Sequence, residues 1–215
     1  TTGEPKGIMA THLGSVHSYV QRYKTSSYQP GDRVACNIFF NWEVLRPLLK
    51  GATVYIISDD IIYDPIPLID FLAEHKITEI LFTPSLLASV INSVDSDIIQ
   101  SKLSSLKVIW LNGEVVTTTL KNRILEIIPD HVRLLNTYSI SECHDIADVD
   151  LREVKHWPTR ICQVGKPIEG VEIRLLDDHK QQVSSGSIGE LYVGGPCLTG
   201  GYLNNPDLTA RRFVF

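Results

Sequence analysis

The chain has 215 residues, of which 43% are hydrophobic and 21% charged, and a formal net charge of −5. That length predicts one large or two small globular units, and the composition excludes intrinsic disorder, collagen and long coiled coil. Carboxylates are scattered, without a block of like charges of the kind that marks a basic arm or acidic tail, so nucleic acid is not expected as a partner. No apolar run reaches the roughly 18 residues of a spanning helix, and the start TTGEPKG is neither basic nor followed by a signal-type apolar core, so no membrane association is expected. Cys36, Cys143, Cys162 and Cys197 form no C-x-x-C pair, which signals neither zinc nor a redox motif and fits a reducing, cytoplasmic setting.

The elements alternate in chain order. TTGEPKG precedes an amphipathic stretch, Leu13 to Tyr23. The apolar run around Thr53 to Ile57 reads as a buried strand, Ile66 to His75 as a helix and Ile77 to Phe82 as the next strand. Pro84 to Val94 reads as a helix capped by Thr83, with proline in its first turn. Lys107 to Leu111 is a strand, Thr119 to Ile128 a helix and Val132 to Thr137 a further strand. Strands apolar on both faces and joined by helices predict an α/β fold with a mainly parallel sheet. After about Leu151 the texture changes to VEIRLLD, a turn-rich QQVSSGSIG and ELYVGG, which predicts short strands and tight turns. The expected division is an α/β core over residues 1–160 and the start of a β-rich, distorted-barrel subdomain over 161–215.

In an open parallel sheet, ligands bind beyond the carboxyl ends of the strands. Those places hold Thr83 and Pro84, then Asn112, Gly113 and Glu114, then Tyr138, Ser139, Ile140, Ser141 and Glu142. Taken singly, these are also residues that turns and helix caps use. The opening TTGEPKG offers hydroxyls, glycines and a lysine, groups that wrap phosphate oxygens, although it lacks the G-x-x-x-x-G-K-[ST] spacing.

TTGEPKG, NWEVLRPLLKGATVYII, WLNGEVV, NTYSISE, VGKPIEG and GELYVGGPCLTGGYLNNPDLTARRF follow one another in this order. Together they resemble the adenylate-forming superfamily, most closely the adenylation domains of nonribosomal peptide synthetases. The resemblance runs from end to end. It implies activation of a carboxylic acid by ATP as an acyl-adenylate, followed by transfer to a phosphopantetheine thiol on a carrier protein domain. It also implies Mg2+, because two anions must meet.

By position, the resemblance places Thr1, Thr2, Gly3 and Lys6 on the β- and γ-phosphates, with Lys6, Ser141 and Glu142 as the catalytic set and Glu142 as the metal ligand. Ser141 stands where the family usually has threonine and keeps the hydroxyl. Tyr138 would stack on adenine, while Asn136, Thr137, Ser139 and the Asn112-Gly113-Glu114 turn would line the nucleotide pocket. Ser139 and Ile140 stand in place of the family's usual glycine and proline.

The same carry-over lines the acyl pocket with Ile38, Phe39, Trp42, Leu81, Trp110, Asn112, Thr137, Asp145 and Ile146. Amino-acid-activating members anchor the α-ammonium with an Asp four residues before the Trp of the W-E pair, and here that place is Ile38. A standard α-amino acid is therefore disfavoured. Two readings stay open: an aromatic cage around a cation such as a quaternary ammonium, with Asp145 beside it, or an apolar pocket for a keto, hydroxy or aryl acid. Ordinary core packing also accounts for Trp42, Trp110 and Phe39.

The family's serine-rich start of the phosphate loop would precede Thr1, and its ribose-binding Asp and lid lysine would follow Phe215. The chain is thus expected to be a fragment that is inactive alone. A stand-alone acyl-CoA ligase and a non-catalytic nucleotide- or metabolite-binding module are the alternatives.

Overall fold

A computed structural model describes residues 5–37, 41–154 and 159–214. The chain divides into two compact units: one of three segments, Thr1–Gln21, Ser139–Ile146 and Pro167–Phe215, and a sheet unit of Arg22–Tyr138 and Ala147–Lys166. Helix α1 (His12–Thr25) is shared by sequence between them, as are the strands β5 (Arg133–Ile140), β6 (His144–Asp150) and β7 (Lys166–Pro167).

The sheet unit is built from β1 (Arg33–Cys36), β2 (Thr53–Ile56), β3 (Glu79–Phe82), β4 (Val108–Leu111) and β5, which pair in parallel in the order 2-1-3-4-5. The sheet continues with β6 and β7. Helices α2 (Asn41–Leu48) and α3 (Asp59–Ile62) precede and follow β2 along the chain. Because side chains alternate along a strand, each strand serves two faces. Ile80, Phe82, Ile109, Leu111 and Leu134 enter one large apolar core. That core includes residues of α4 (Pro65–Glu74), α5 (Pro84–Ser93), α6 (Ser96–Lys102) and α7 (Thr118–Ile127). The register Leu81↔Trp110↔Leu135 belongs to the opposite face, where Val108, Trp110 and Leu135 cluster with Leu81.

The expected strand and helix boundaries around Thr83 hold closely. Thr83 adopts an extended conformation, its side chain accepts from the Leu86 N–H, and Pro84 opens α5. Strand β5 is longer than its sequence suggests, running through Tyr138, Ser139 and Ile140 before a turn closed by Cys143 N–H donating to the Ile140 carbonyl at 3.1 Å. The polar residues there belong to a strand because its neighbour β6 supplies backbone partners that the apolar pattern does not reveal.

In the three-segment unit, β8 (Glu172–Leu176) and β9 (Glu190–Gly194) form an antiparallel pair, as VEIRLLD and ELYVGG predict. Gly195, at φ +114, makes the tight turn after β9, where a Cβ would lie 2.2 Å from the Gly170 carbonyl oxygen. Helix α8 (Pro206–Arg212) follows, capped by the Asn205 side chain, which accepts from Leu208 N–H. Among the described residues no helix is long and apolar enough to cross a membrane.

Candidate active site

Within the three-segment unit the Gly7–Met9 stretch pairs with the GGY segment, residues 200–202, and with Leu203. Met9 N–H donates to the Gly201 carbonyl at 2.9 Å, Gly200 N–H to the Met9 carbonyl at 2.8 Å and Leu203 N–H to the Gly7 carbonyl at 2.8 Å. Tyr202, 6% exposed, thereby sits beside that stretch. Its phenol donates to Glu142 Oε1 at 2.6 Å, and the Lys6 ammonium lies 5.7 Å from its ring centroid. The expected phosphate lysine and the expected metal carboxylate thus meet on one aromatic side chain. Burial first, then the neighbouring Glu142 carboxylate, push the Tyr202 hydroxyl up to about 12.

The backbone holds that tyrosine closely. Tyr202 N–H donates to Thr209 Oγ1 at 2.9 Å, and Phe213 meets the ring edge-on with centroids 5.8 Å apart. Gly201 has φ +105, and a Cβ there would come within 2.5 Å of Thr209 Cγ2, so the second glycine of GGY is required by both conformation and space. Thr199 N–H donates to the Glu142 carbonyl at 3.0 Å, fixing the backbone that carries the carboxylate. Ser141 is exposed and Ser139 half-buried.

Asp145 and Ile146 are buried in the same unit. Ser18, itself 2% exposed, donates its hydroxyl to Asp145 Oδ2 at 3.0 Å. Asp145 is therefore a fixed, hydrogen-bonded carboxylate. His144, at φ +54, packs against Gly14, where a Cβ would lie 3.1 Å from the imidazole.

In the sheet unit, the Asn112-Gly113-Glu114 turn follows β4 with Gly113 at φ +88. Glu114 accepts from Ser85 N–H at 2.9 Å and from the Ser85 hydroxyl at 2.8 Å, which ties the turn to the first turn of α5. A carboxylate suits that helix start, where unpaired N–H groups and the dipole favour negative charge. Asn136 is buried and donates its amide to the Gln163 carbonyl at 2.9 Å. Thr137 is also buried, and its hydroxyl has no hydrogen-bond partner among the described residues. Such an orphan is costly unless a ligand or water engages it. Tyr138 beside it is half-buried.

Strand order reverses between β1 and β3, and a small cavity of about 10 Å3 opens there, lined by Cys36, Asn37, Glu43, Glu79, Leu81 and Trp110, among others. Arg22 lies over the Trp110 ring, 3.8 Å from its centroid, and Trp110 Nε1–H donates to Glu79 Oε1 at 2.9 Å. Trp110 is 2% exposed. The face that a cation cage would use is engaged by a cation of the chain itself, Arg22. No sequence motif points to Glu79. Burial raises its carboxyl to about 7, against the lowering influence of donors from Tyr28 and Trp110 and of the charges of Arg22 and Arg46. Trp42 is half-buried on α2. Thr1, Thr2, Gly3, Ile38 and Phe39 lie outside the described residues.

Among the described residues no group of three or more His, Cys, Asp or Glu side chains converges as a metal cage. A single carboxylate nevertheless fits Mg2+, which is commonly held by one or two carboxylates together with substrate phosphates and waters. Glu142, which shares the Tyr202 side chain with Lys6, has that character.

A family model described as AMP-binding enzyme matches residues 1–203. The chain is 47% identical over 214 residues to a protein named glycine betaine reductase ATRR of Emericella nidulans, covering 100% of this chain and 17% of that protein. It is 33% identical over 220 residues to malpibaldin synthetase of Mortierella alpina, again along 100% of this chain but 4% of the relative. The crystal structure of CmiS6 superposes with a TM-score of 0.87 at 25% identity, covering 98% of this chain and 51% of that one. The chain thus spans less than a fifth of the length of either of these curated relatives.

Proposed function

The chain belongs to the AMP-binding enzyme family, and from that premise we propose that it is the nucleotide- and acyl-binding part of an enzyme that activates a betaine-type carboxylic acid with ATP and delivers it to a carrier-bound phosphopantetheine thiol. In the first step a carboxylate oxygen forms a bond to the α-phosphorus of ATP and the bond to pyrophosphate breaks. In the second, the thiol sulfur, giving up its proton, attacks the acyl carbon, and AMP leaves.

The observation that carries the activity is the meeting of Lys6 and Glu142 on Tyr202. Lys6, with Thr1, Thr2 and Gly3, is assigned to the phosphates, and Ser141 and Glu142 to the metal side of the nucleotide. Mg2+, when bound, offsets the charge of the triphosphate and the charge developing at phosphorus. Asn112, Gly113, Glu114, Asn136, Tyr138 and Ser139 are assigned to the nucleoside, and the orphan Thr137 hydroxyl supports a ligand at its position.

The substrate class draws on the 47% identity to a protein named glycine betaine reductase and on Ile38 at the place of the α-ammonium anchor. A trimethylammonium group donates no hydrogen bond, so loss of a carboxylate anchor at that place costs it less than it would cost a primary ammonium. Trp42, half-buried on α2, is assigned as the aromatic partner of the cation. Leu81 and Ile146 are assigned to the apolar wall, and Asp145 to the countercharge. Because the chain spans less than a fifth of the length of these relatives, the complete reaction is assigned to the full-length protein.

The test is carboxylate-dependent ATP–pyrophosphate exchange by the full-length protein across betaine-type, α-amino, α-keto and aryl acids. Exchange with betaine-type acids that is lost in Asp145→Asn is expected. Exchange confined to ordinary α-amino acids would refute the substrate class, and no exchange with any acid would favour a binding module without turnover.

A further inference from the structure

The GGYLNNPDLTARRF segment contains no residue to which either step of the reaction was assigned, yet its tyrosine is bonded to Glu142. We infer that Tyr202 is the positioning residue of the metal side of this site, setting the Glu142 carboxylate through its hydroxyl and the Lys6 ammonium through its ring. This rests on the reading of Glu142 as the metal carboxylate.

The local geometry supports more than packing. A phenylalanine would fill the same space and keep the edge-on contact with Phe213, but only tyrosine supplies the 2.6 Å hydrogen bond to Glu142 Oε1. A hydrogen bond to an ionised acceptor is short and strong, and it removes the rotational freedom of a half-buried carboxylate. One oxygen is committed to Tyr202, which leaves the other oriented for a cation. The ring attracts the Lys6 ammonium at the same time. Backbone fixes the whole arrangement, through Tyr202 N–H on Thr209 Oγ1 and through Gly7 to Met9 paired with Gly200 to Leu203. Gly201 cannot be replaced without striking Thr209, so the clamp that aims Tyr202 is itself constrained. Preorganisation of this kind lowers the ordering that ligand binding would otherwise require.

The experiment is calorimetric titration of ATP into the full-length protein, once with saturating Mg2+ and once in chelator, for the wild type, Tyr202→Phe, Tyr202→Leu and Glu142→Gln. Tyr202→Phe is expected to weaken Mg2+-ATP binding about tenfold, the scale of one hydrogen bond to a charged group, while binding in chelator stays within about twofold. Tyr202→Leu, which also removes the ring beneath Lys6, is expected to weaken both. Equal Mg2+-ATP affinity in Tyr202→Phe and wild type would overturn the inference. If Glu142→Gln also bound Mg2+-ATP as tightly as wild type, the assignment of Glu142 itself would fall; if only Glu142→Gln lost affinity, that assignment would stand and the role of Tyr202 alone would be refuted. Should Tyr202→Phe not fold, Thr209→Val carries the test, because it keeps the phenol but removes the acceptor for Tyr202 N–H. A loss of about threefold confined to the Mg2+ titration is expected of it, and no loss would overturn the proposal.

Discussion

Arg22 and Trp110 form a stacked pair in the sheet unit, guanidinium to ring centroid 3.8 Å, with the indole N–H committed to Glu79 at 2.9 Å. The pair sits on the sheet face opposite the large apolar core, beside the small cavity at the strand-order reversal. It makes an aromatic that sequence assigns to the acyl pocket part of a buried charge network.

Trp110→Phe keeps most of the apolar volume and deletes the donor to Glu79. Leaving a buried acceptor short of a partner costs about 1–3 kcal/mol, so a fall in the urea midpoint of the full-length protein's first transition is expected. Arg22→Lys is not conservative here, because an ammonium does not stack on an indole as a planar guanidinium does. It should lower the midpoint as well, and unchanged midpoints in both variants would show that the pair contributes no stability.

Glu79 gives a pH signature. Its carboxyl is raised from 4.5 to about 7 in the folded chain, so the folded state holds the proton more tightly than the unfolded state. The associated stability is fully present below the unfolded value and is lost as pH rises through about 7. In Glu79→Gln that dependence disappears. Unfolding free energies of wild type and variant, taken from urea titrations between pH 5 and 8, should therefore shift relative to one another in the variant's favour as pH rises, by an amount on the order of a few kcal/mol. Parallel curves would show that Glu79 titrates alike in both states.

Glu114 is expected to act through position. It accepts twice from Ser85 and so docks the turn after β4 onto the start of α5. Glu114→Ala removes both bonds and should weaken adenosine-nucleotide binding several-fold, whereas Ser85→Ala removes only the hydroxyl and keeps the backbone donor, an effect of about 1 kcal/mol or less. Equal affinity for AMP in Glu114→Ala and wild type, by calorimetry, would separate this turn from the nucleotide site.

Gly165, in the VGKPIEG segment, has φ +85, and a Cβ there would lie 1.9 Å from the Asp148 carbonyl oxygen. Gly165→Ala must move backbone against backbone, so a loss of roughly 2 kcal/mol or more is expected, read as reduced yield of folded protein and a lower melting temperature. Gly186, at φ +88 with open space around it, supplies the control: Gly186→Ala bears the conformational strain alone and should cost less.

The alternating strands and helices of the sheet unit are legible in the sequence because period and capping are local. Thr83 and Pro84 announce α5 within three residues, and Lys107 to Leu111 is apolar enough to declare a buried strand. Strand β1, only Arg33–Cys36, is too short and mixed to stand out, and β5 hides its polar end because backbone pairing, not side-chain pattern, extends it. At the site, the ordered motifs point to Lys6, Glu142 and the turn at Asn112. They give no role to Tyr202, although it lies within one of them, nor to Arg22 or Glu79, whose contacts join side chains dozens of residues apart, for which a sequence carries no periodic signal.

The pairing of Gly7–Met9 with Gly200–Leu203 also has a temporal meaning. A ribosome adding about 5–20 residues each second needs roughly ten to forty seconds to pass from one partner to the other. Throughout that interval Gly7–Met9 has been made but its partner segment does not yet exist, while the parallel strands between them are already available to one another. The three-segment unit therefore cannot complete this pairing until residues 200–203 have been made, and a nascent chain halted before Gly200 would lack the edge beside which Tyr202 meets Lys6 and Glu142.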